Sequence, residues 1–293
     1  MNSLIPQIVS EHTCKLGEGP VWDEANQYIL WLDIIKGEIH QYDAATNILE
    51  TFDVDEMIGC IALRESGGFI AGLEHGIAFI DDEKILLQRI ADPEENLPNR
   101  FNDGKCDGAG RFWAGTMAIS EEENQGSLYV MEPDLTLKKK IENVSISNGL
   151  AWSADNTIMY YIDSPTRYVF AFDYDIKTGD IDNQRVVVDL TNESGYPDGM
   201  TIDEDGMLWI AFYDGWRVTR YDPTTGNILQ HIELPVANVT SCTFGGENLN
   251  DLYITTASKN MSEDALQQQP HAGKLFVVKN CGCKGLPAEK FKG

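Results

Sequence analysis

The chain is poor in basic residues: 22 Lys and Arg stand against 47 Asp and Glu, a formal charge of -25. Such a surface repels phosphate backbones and anionic lipid, so neither nucleic-acid binding nor membrane-surface attachment is expected. It also suits a neutral substrate better than a polyanionic one. No apolar run approaches the ~18 residues that a membrane-crossing helix needs. The start, Met1-Asn2-Ser3-Leu4-Ile5-Pro6-Gln7, lacks the basic-then-apolar order of a secretory leader. Cysteine is sparse, with six in 293 residues and no Cys-x-x-Cys pair. Cys60, Cys106 and Cys242 fall in expected inner strands as small buried groups, and Cys281-Gly-Cys283 lacks the second half of a zinc site. Reduced thiols in the cytoplasm are the expected state. There is no Gly-x-Ser-x-Gly elbow, His-Glu-x-x-His, P-loop or Gly-x-Gly-x-x-Gly. His12, His40, His75, His231 and His271 show no ligand-like spacing and are assigned to turns or the surface. No obligatory protein partner is implied.

What the chain does have is a repeat. Taking Trp22, Leu63, Cys106, Trp152, Ile202 and Phe244 as equivalent, the spacings are 41, 43, 46, 50 and 42 residues. That period, filled with short strands and turn signals, predicts an all-β, six-bladed β-propeller with four-stranded blades, one domain over residues 1–293. The unit Gly199 to Phe212 shows the pattern: an apolar strand, an Asp205-Gly206 turn, then a second strand rich in Trp and Ile. A third strand, Trp216 to Asp222, and a fourth, Ile228 to Leu234, follow. Third-strand endings match at Gln41-Tyr42-Asp43, Phe172-Asp173-Tyr174 and Arg220-Tyr221-Asp222. The last unit is one strand short, and Pro6 to Ser10 is expected to supply the missing strand and close the ring. Trp22, Trp31, Trp113, Trp152 and Trp209 recur at strand positions that suit core packing.

Four residues before each marker stand Glu18, Gly59, Asn102, Asn148, Asp198 and Thr240. Five of the six carry an oxygen-bearing side chain, and equivalent positions of a propeller converge on its axis. Glu18, Asn148 and Asp198 are each followed by glycine. Two carboxylates and an amide form an oxygen-only set suited to a hard divalent cation, Ca²⁺, Mg²⁺ or Mn²⁺, with Zn²⁺ or Fe²⁺ also open. Taken singly, each of the Asn-Gly and Asp-Gly pairs reads as a turn; the shared repeat position is what favours a metal site. Arg100, two residues before Asn102, shares its strand face and adds a donor fork beside the ligands.

The motifs Gly17-Glu18-Gly19-Pro20-Val21-Trp22, Asn99 to Lys105, Ala114-Gly-Thr-Met117, Ile146 to Trp152, Tyr160-Tyr-Ile-Asp163, Pro197-Asp-Gly-Met200 and Phe244-Gly-Gly246 span almost the whole chain. As a set the chain resembles the superfamily of senescence marker protein (regucalcin), gluconolactonase and luciferin-regenerating enzyme. The segments Ser120 to Gln125 and Thr255 to Gly273 look closer to bacterial sugar-acid lactonases. The resemblance implies a propeller with one divalent cation held by Glu18, Asn148 and Asp198, substrate contacts from Arg100 and Asn102, and hydrolysis of a sugar lactone with Asp198 as the candidate base. It also implies a further substrate-binding carboxylate in the 120–125 loop, at Glu121 or Glu122. A promiscuous phosphotriesterase or esterase, and a calcium-binding propeller without catalysis, stay open as alternatives.

Overall fold

The computed structural model describes residues 4–83 and 87–293, so the first three residues of the segment read for a leader lie outside it. Among the described residues the chain forms six four-stranded antiparallel sheets set as the blades of a six-bladed β-propeller, with one short α-helix at Glu263–Gln268. The inner strands are Gly17–Asp23, Ile58–Leu63, Asn99–Cys106, Ser147–Trp152, Tyr196–Ile202 and Val239–Gly245. In the sixth blade Gln7–Ile8 is the outermost strand, with Gln7 opposite Val277 and Ile8 opposite Phe276. No described helix is long and apolar enough to cross a membrane.

The turn chemistry explains why each repeat folds as a blade. In four of the six blades the residue after the repeat marker, Asp23, Asp107, Ser153 or Asp203, caps the first hairpin. Asp203 Oδ1 accepts from the backbone N–H of Asp205 and Met207, and Asp107 Oδ1 does the same for Ala109 and Arg111. Ser153 serves through Oγ, accepting from Thr157 and Ile158. Such side-chain bonds to nearby backbone are what Asp and Ser do best in turns. Asp107 and Asp203 also reach the second strand through Oδ2, accepting from Trp113 Nε1 at 2.8 Å and from Trp209 Nε1 at 2.9 Å.

The third hairpin has its own signature. Asp43, Asp175 and Asp222 each accept, through their backbone carbonyl, from the residue four positions on: Asn47, Gly179 and Gly226. Those three residues have φ of 58°, 68° and 72°, the left-handed region. The sequence match at Phe172-Asp173-Tyr174 is therefore one residue out of register; Tyr174-Asp175 is the partner of Tyr42-Asp43 and Tyr221-Asp222.

The core lies between blades. Trp113, Leu128 and Val130 pack against Trp152, Met159 and Tyr161 of the next blade. Between the last and first blades Trp22 stacks on Tyr253, ring centroids 5.6 Å apart. At one end of the axis the chain from Lys284 to Gly293 crosses the mouth. Lys284 O accepts from Glu204 N, and Phe291 pairs its backbone with Leu63 and Glu65. Phe291 is fully buried. The opposite mouth carries the candidate site.

Candidate functional site

All six inner strands break register at the same place. The breaks fall between Glu18 and Val21, Ile58 and Cys60, Phe101 and Gly104, Asn148 and Leu150, Pro197 and Met200, and Val239 and Ser241. A bulge re-aims the side chain beside it. The polar column therefore sits on a ring of bulges, and the glycines that follow its members supply the backbone; Gly19 has φ of 52°. Glu18, Arg100, Asn102, Asn148 and Asp198 all line one cavity of about 780 Å³.

Two members of the column do not line it. Gly59 is glycine because the next blade occupies its side-chain space: a Cβ there would stand 2.2 Å from Phe101 O and 2.6 Å from Asn102 O. Thr240 is fully buried and turns its hydroxyl to Gly17 O at 2.6 Å, tying the last blade to the first. Gly59→Ala should therefore push Asn102 out of place. We expect a stability loss of about 1–3 kcal/mol in chemical denaturation, as for other overpacked sites.

The cavity-lining polar groups are locked by one another. Asn102 Nδ2 donates to Ser147 O at 2.7 Å and to Asn148 Oδ1 at 2.9 Å. Arg100 Nη1 donates to Asn102 Oδ1 at 2.7 Å and Phe101 O at 2.9 Å. Among the described residues those are its hydrogen bonds, so Nε and Nη2 stay available. Burial lowers the Arg100 guanidinium to about 10, opposed by Glu18, Glu121 and Asp198, so it is charged at neutral pH. Asn148 Nδ2 donates to Ser164 Oγ at 2.8 Å, and Ser164 Oγ donates to Pro197 O at 2.6 Å. Ser164 thus decides which end of the Asn148 amide faces the cavity. Nothing in the repeat marks it, since it lies on a short turn after the second strand.

Glu18 and Asp198 are only 6% and 8% exposed and line the same cavity. Burial first pushes both above the usual carboxylate range; the nearby Asp103 adds to it for Glu18, whose contact with Asp198 works the other way, and Glu18 and then Asp103 add to it for Asp198. Two acids pressed together away from water are relieved either by a shared proton or by a cation between them. With the Asn148 oxygen beside them, these residues fit a hard divalent cation: the donors are all oxygen, and two acidic groups share one nearby guanidinium, that of Arg100.

Of the three loop acids, Glu121 lines the cavity and pairs with Lys259, Glu122 does not line it, and Glu123, which was not a candidate, does. Lys259, Asn260 and Met261, with Ala265 and Gln269 around the short helix, form a wall that the repeat does not foreshadow. This stretch has no counterpart in the other blades. The assignment of histidines to turns or the surface fails at His40, which is fully buried on the strand Glu38–Asp43.

With the geometry in hand, the chain can be set beside known proteins. Chicken (Gallus gallus) regucalcin is 43% identical over 299 residues, with both chains covered in full. A luciferin-regenerating enzyme structure superposes with a TM-score of 0.94 at 33% identity, covering 99% of each chain. A calcium-binding protein, regucalcin, from Agrobacterium tumefaciens superposes with a TM-score of 0.95 at 27% identity, covering 99% of this chain and 98% of that one. The family model described as SMP-30/Gluconolactonase/LRE-like region matches residues 16–258, and the chain belongs to that family.

Proposed function

We propose that this protein hydrolyses a sugar lactone, such as gluconolactone or a pentonolactone, to the free acid, using a divalent cation held by Glu18, Asn148 and Asp198. The observation that carries the reading is the buried Glu18–Asp198 pair, with the Asn148 amide beside it, at the floor of a cavity also lined by Arg100 and Asn102. When bound, the cation supplies Lewis acidity to the lactone carbonyl and offsets the charge that develops on its oxygen. Asp198 takes the proton of the attacking water and returns it to the ring oxygen as the acyl C–O bond breaks. Its neighbour Glu18 keeps negative charge on the pair and favours that transfer. The free N–H groups of Arg100 and the Asn102 amide orient the ring hydroxyls or the carbonyl, which brings water and carbonyl into a fixed approach. Glu121 and Lys259 stand at the rim, where hydroxyls of a neutral sugar would meet them. A cyclic ester is already activated, so this modest set suffices.

The test is proton release by chelator-stripped protein on several aldonolactones, with each cation restored in turn. Turnover should vanish on stripping and return with at least one cation. Cation-independent turnover removes the mechanism, and cation binding without turnover on any lactone makes the protein a non-catalytic cation binder.

Ser164→Ala offers a finer check. It frees the Asn148 amide to rotate while leaving every proposed ligand in place. Cation affinity, followed by calorimetry, should fall about 10–100-fold, the usual effect of losing a group that orients a ligand. Unchanged affinity would detach Ser164 from the site.

A further inference from the structure

Outside the cavity, three groups that bind metals converge beside the first blade, and Glu38 stands against two of them. His12 and Cys14 lie in the segment that leads into Gly17–Asp23, and His40 and Glu38 sit on one face of the strand Glu38–Asp43. A ring nitrogen from each histidine and Cys14 Sγ lie within 4.8 Å of one another. Glu38 Oε2 is 3.7 Å from His12 Nε2 and 3.6 Å from His40 Nε2. Ligands about 2.0–2.3 Å from a tetrahedral ion stand about 3.3–3.8 Å apart, so the carboxylate is already placed as an edge of such a polyhedron.

The cluster is short of partners in a way that packing alone does not explain. Among the described residues, both His12 Nε2 and His40 Nε2 are buried without a hydrogen bond, and His40 is fully buried. An orphaned polar atom in a core is costly and calls for a cause. The other nitrogen of His40 is held: Nδ1 lies 3.0 Å from Thr51 Oγ1. With Thr51 accepting the Nδ1 proton, the Nε2 lone pair points toward Glu38 and the cluster, the arrangement usual for a metal-binding imidazole. Trp31 closes one side, its ring 5.0 Å from that of His40. Charges balance as well. A thiolate and Glu38 would neutralise a dication; Lys36, 3.5 Å from Glu38 Oε2, has Asp33 as a second partner at 3.2 Å.

We propose that His12, Cys14, His40 and Glu38 form a second, structural metal site with four protein ligands, suited to Zn²⁺. The mixed nitrogen, sulfur and oxygen set selects zinc over calcium or magnesium. None of the four lines the catalytic cavity. Two ligands belong to the segment that follows the ring-closing strand Gln7–Ile8, and two belong to the first blade, so the ion staples the closure of the propeller. Backbone bonds already hold that segment on its other side, from Cys14 N to Gly273 O and from Ser258 Oγ to Cys14 O.

The test uses the full chain, stripped with a chelator and titrated with Co²⁺ as a spectroscopic probe. The proposal predicts a thiolate-to-cobalt charge-transfer band in the near ultraviolet with strong tetrahedral bands in the visible, all displaced by Zn²⁺. The oxygen-only axial set gives no thiolate band, so the two sites are read separately. The band should persist in Glu18→Gln and vanish in Cys14→Ser, which should keep its lactone turnover but lose the rise in unfolding temperature that Zn²⁺ gives the parent protein. Should Cys14→Ser fail to fold, the parent titration decides alone. Absence of the thiolate band in the parent, or its survival in a folded Cys14→Ser protein, overturns the site.

Discussion

Asp198→Ala should lower lactone turnover by about 10²–10³-fold or more, the scale at which removal of a single preorganised group is felt in an active site. Two effects combine. The variant loses one of three proposed ligands, so the cation binds more weakly, and it loses the group proposed to accept the proton of water. Saturating cation separates the two, because added metal restores occupancy but not a base. Turnover at saturation should therefore stay well below that of the parent. Burial and the neighbouring Glu18 raise the affinity of Asp198 for a proton in the cation-free protein, so cation and proton compete there and affinity in the parent should rise with pH. In the variant that dependence flattens. A variant that holds the cation fully and turns over at the parent rate would remove Asp198 from the chemistry.

Asp107→Ala should cost about 3–5 kcal/mol of stability, the range found when one partner of a buried charged network is removed. Asp107 is fully buried. Its Oδ1 accepts from two backbone N–H groups of the hairpin, at 2.9 and 3.0 Å. Its Oδ2 accepts from Trp113 Nε1 at 2.8 Å and Tyr174 OH at 2.5 Å, the latter on the next blade. Alanine leaves those donors without water, and each orphan costs about 1–3 kcal/mol. Arg111 is spared part of the loss because Glu132 holds its Nε at 2.7 Å. In a chain of this size the unfolding midpoint should drop by about 10 °C. Asp107 does not line the catalytic cavity, so turnover per folded molecule at low temperature should not change. A loss below about 1 kcal/mol in denaturant titration would mean the network is not what joins these blades.

Much of this was legible beforehand, because a repeat places residues by counting. The spacing of Trp22, Leu63, Cys106, Trp152, Ile202 and Phe244 is the spacing of the inner strands. Counting could not tell a ligand position from a packing position. Gly59 and Thr240 share the register of Glu18 and Asp198, yet one yields its space to a neighbouring backbone and the other closes the ring. Residues off the repeat were out of reach for a different reason. Ser164 acts from a turn, Lys259 from a stretch without counterpart, and His12 and Cys14 of a loop meet His40 of a strand with no spacing that announces a site. The common bulge was visible only as glycines; that all six inner strands break at one level needed coordinates.

The central claim is that three oxygen donors from separate blades close on one cation at the floor of the cavity. Anomalous diffraction from crystals loaded with Mn²⁺ tests it directly. The account predicts a peak within about 2.0–2.6 Å of oxygens from Glu18, Asn148 and Asp198 together. A fully loaded crystal with no peak there, or with the ion held by other residues at this mouth of the channel, contradicts it.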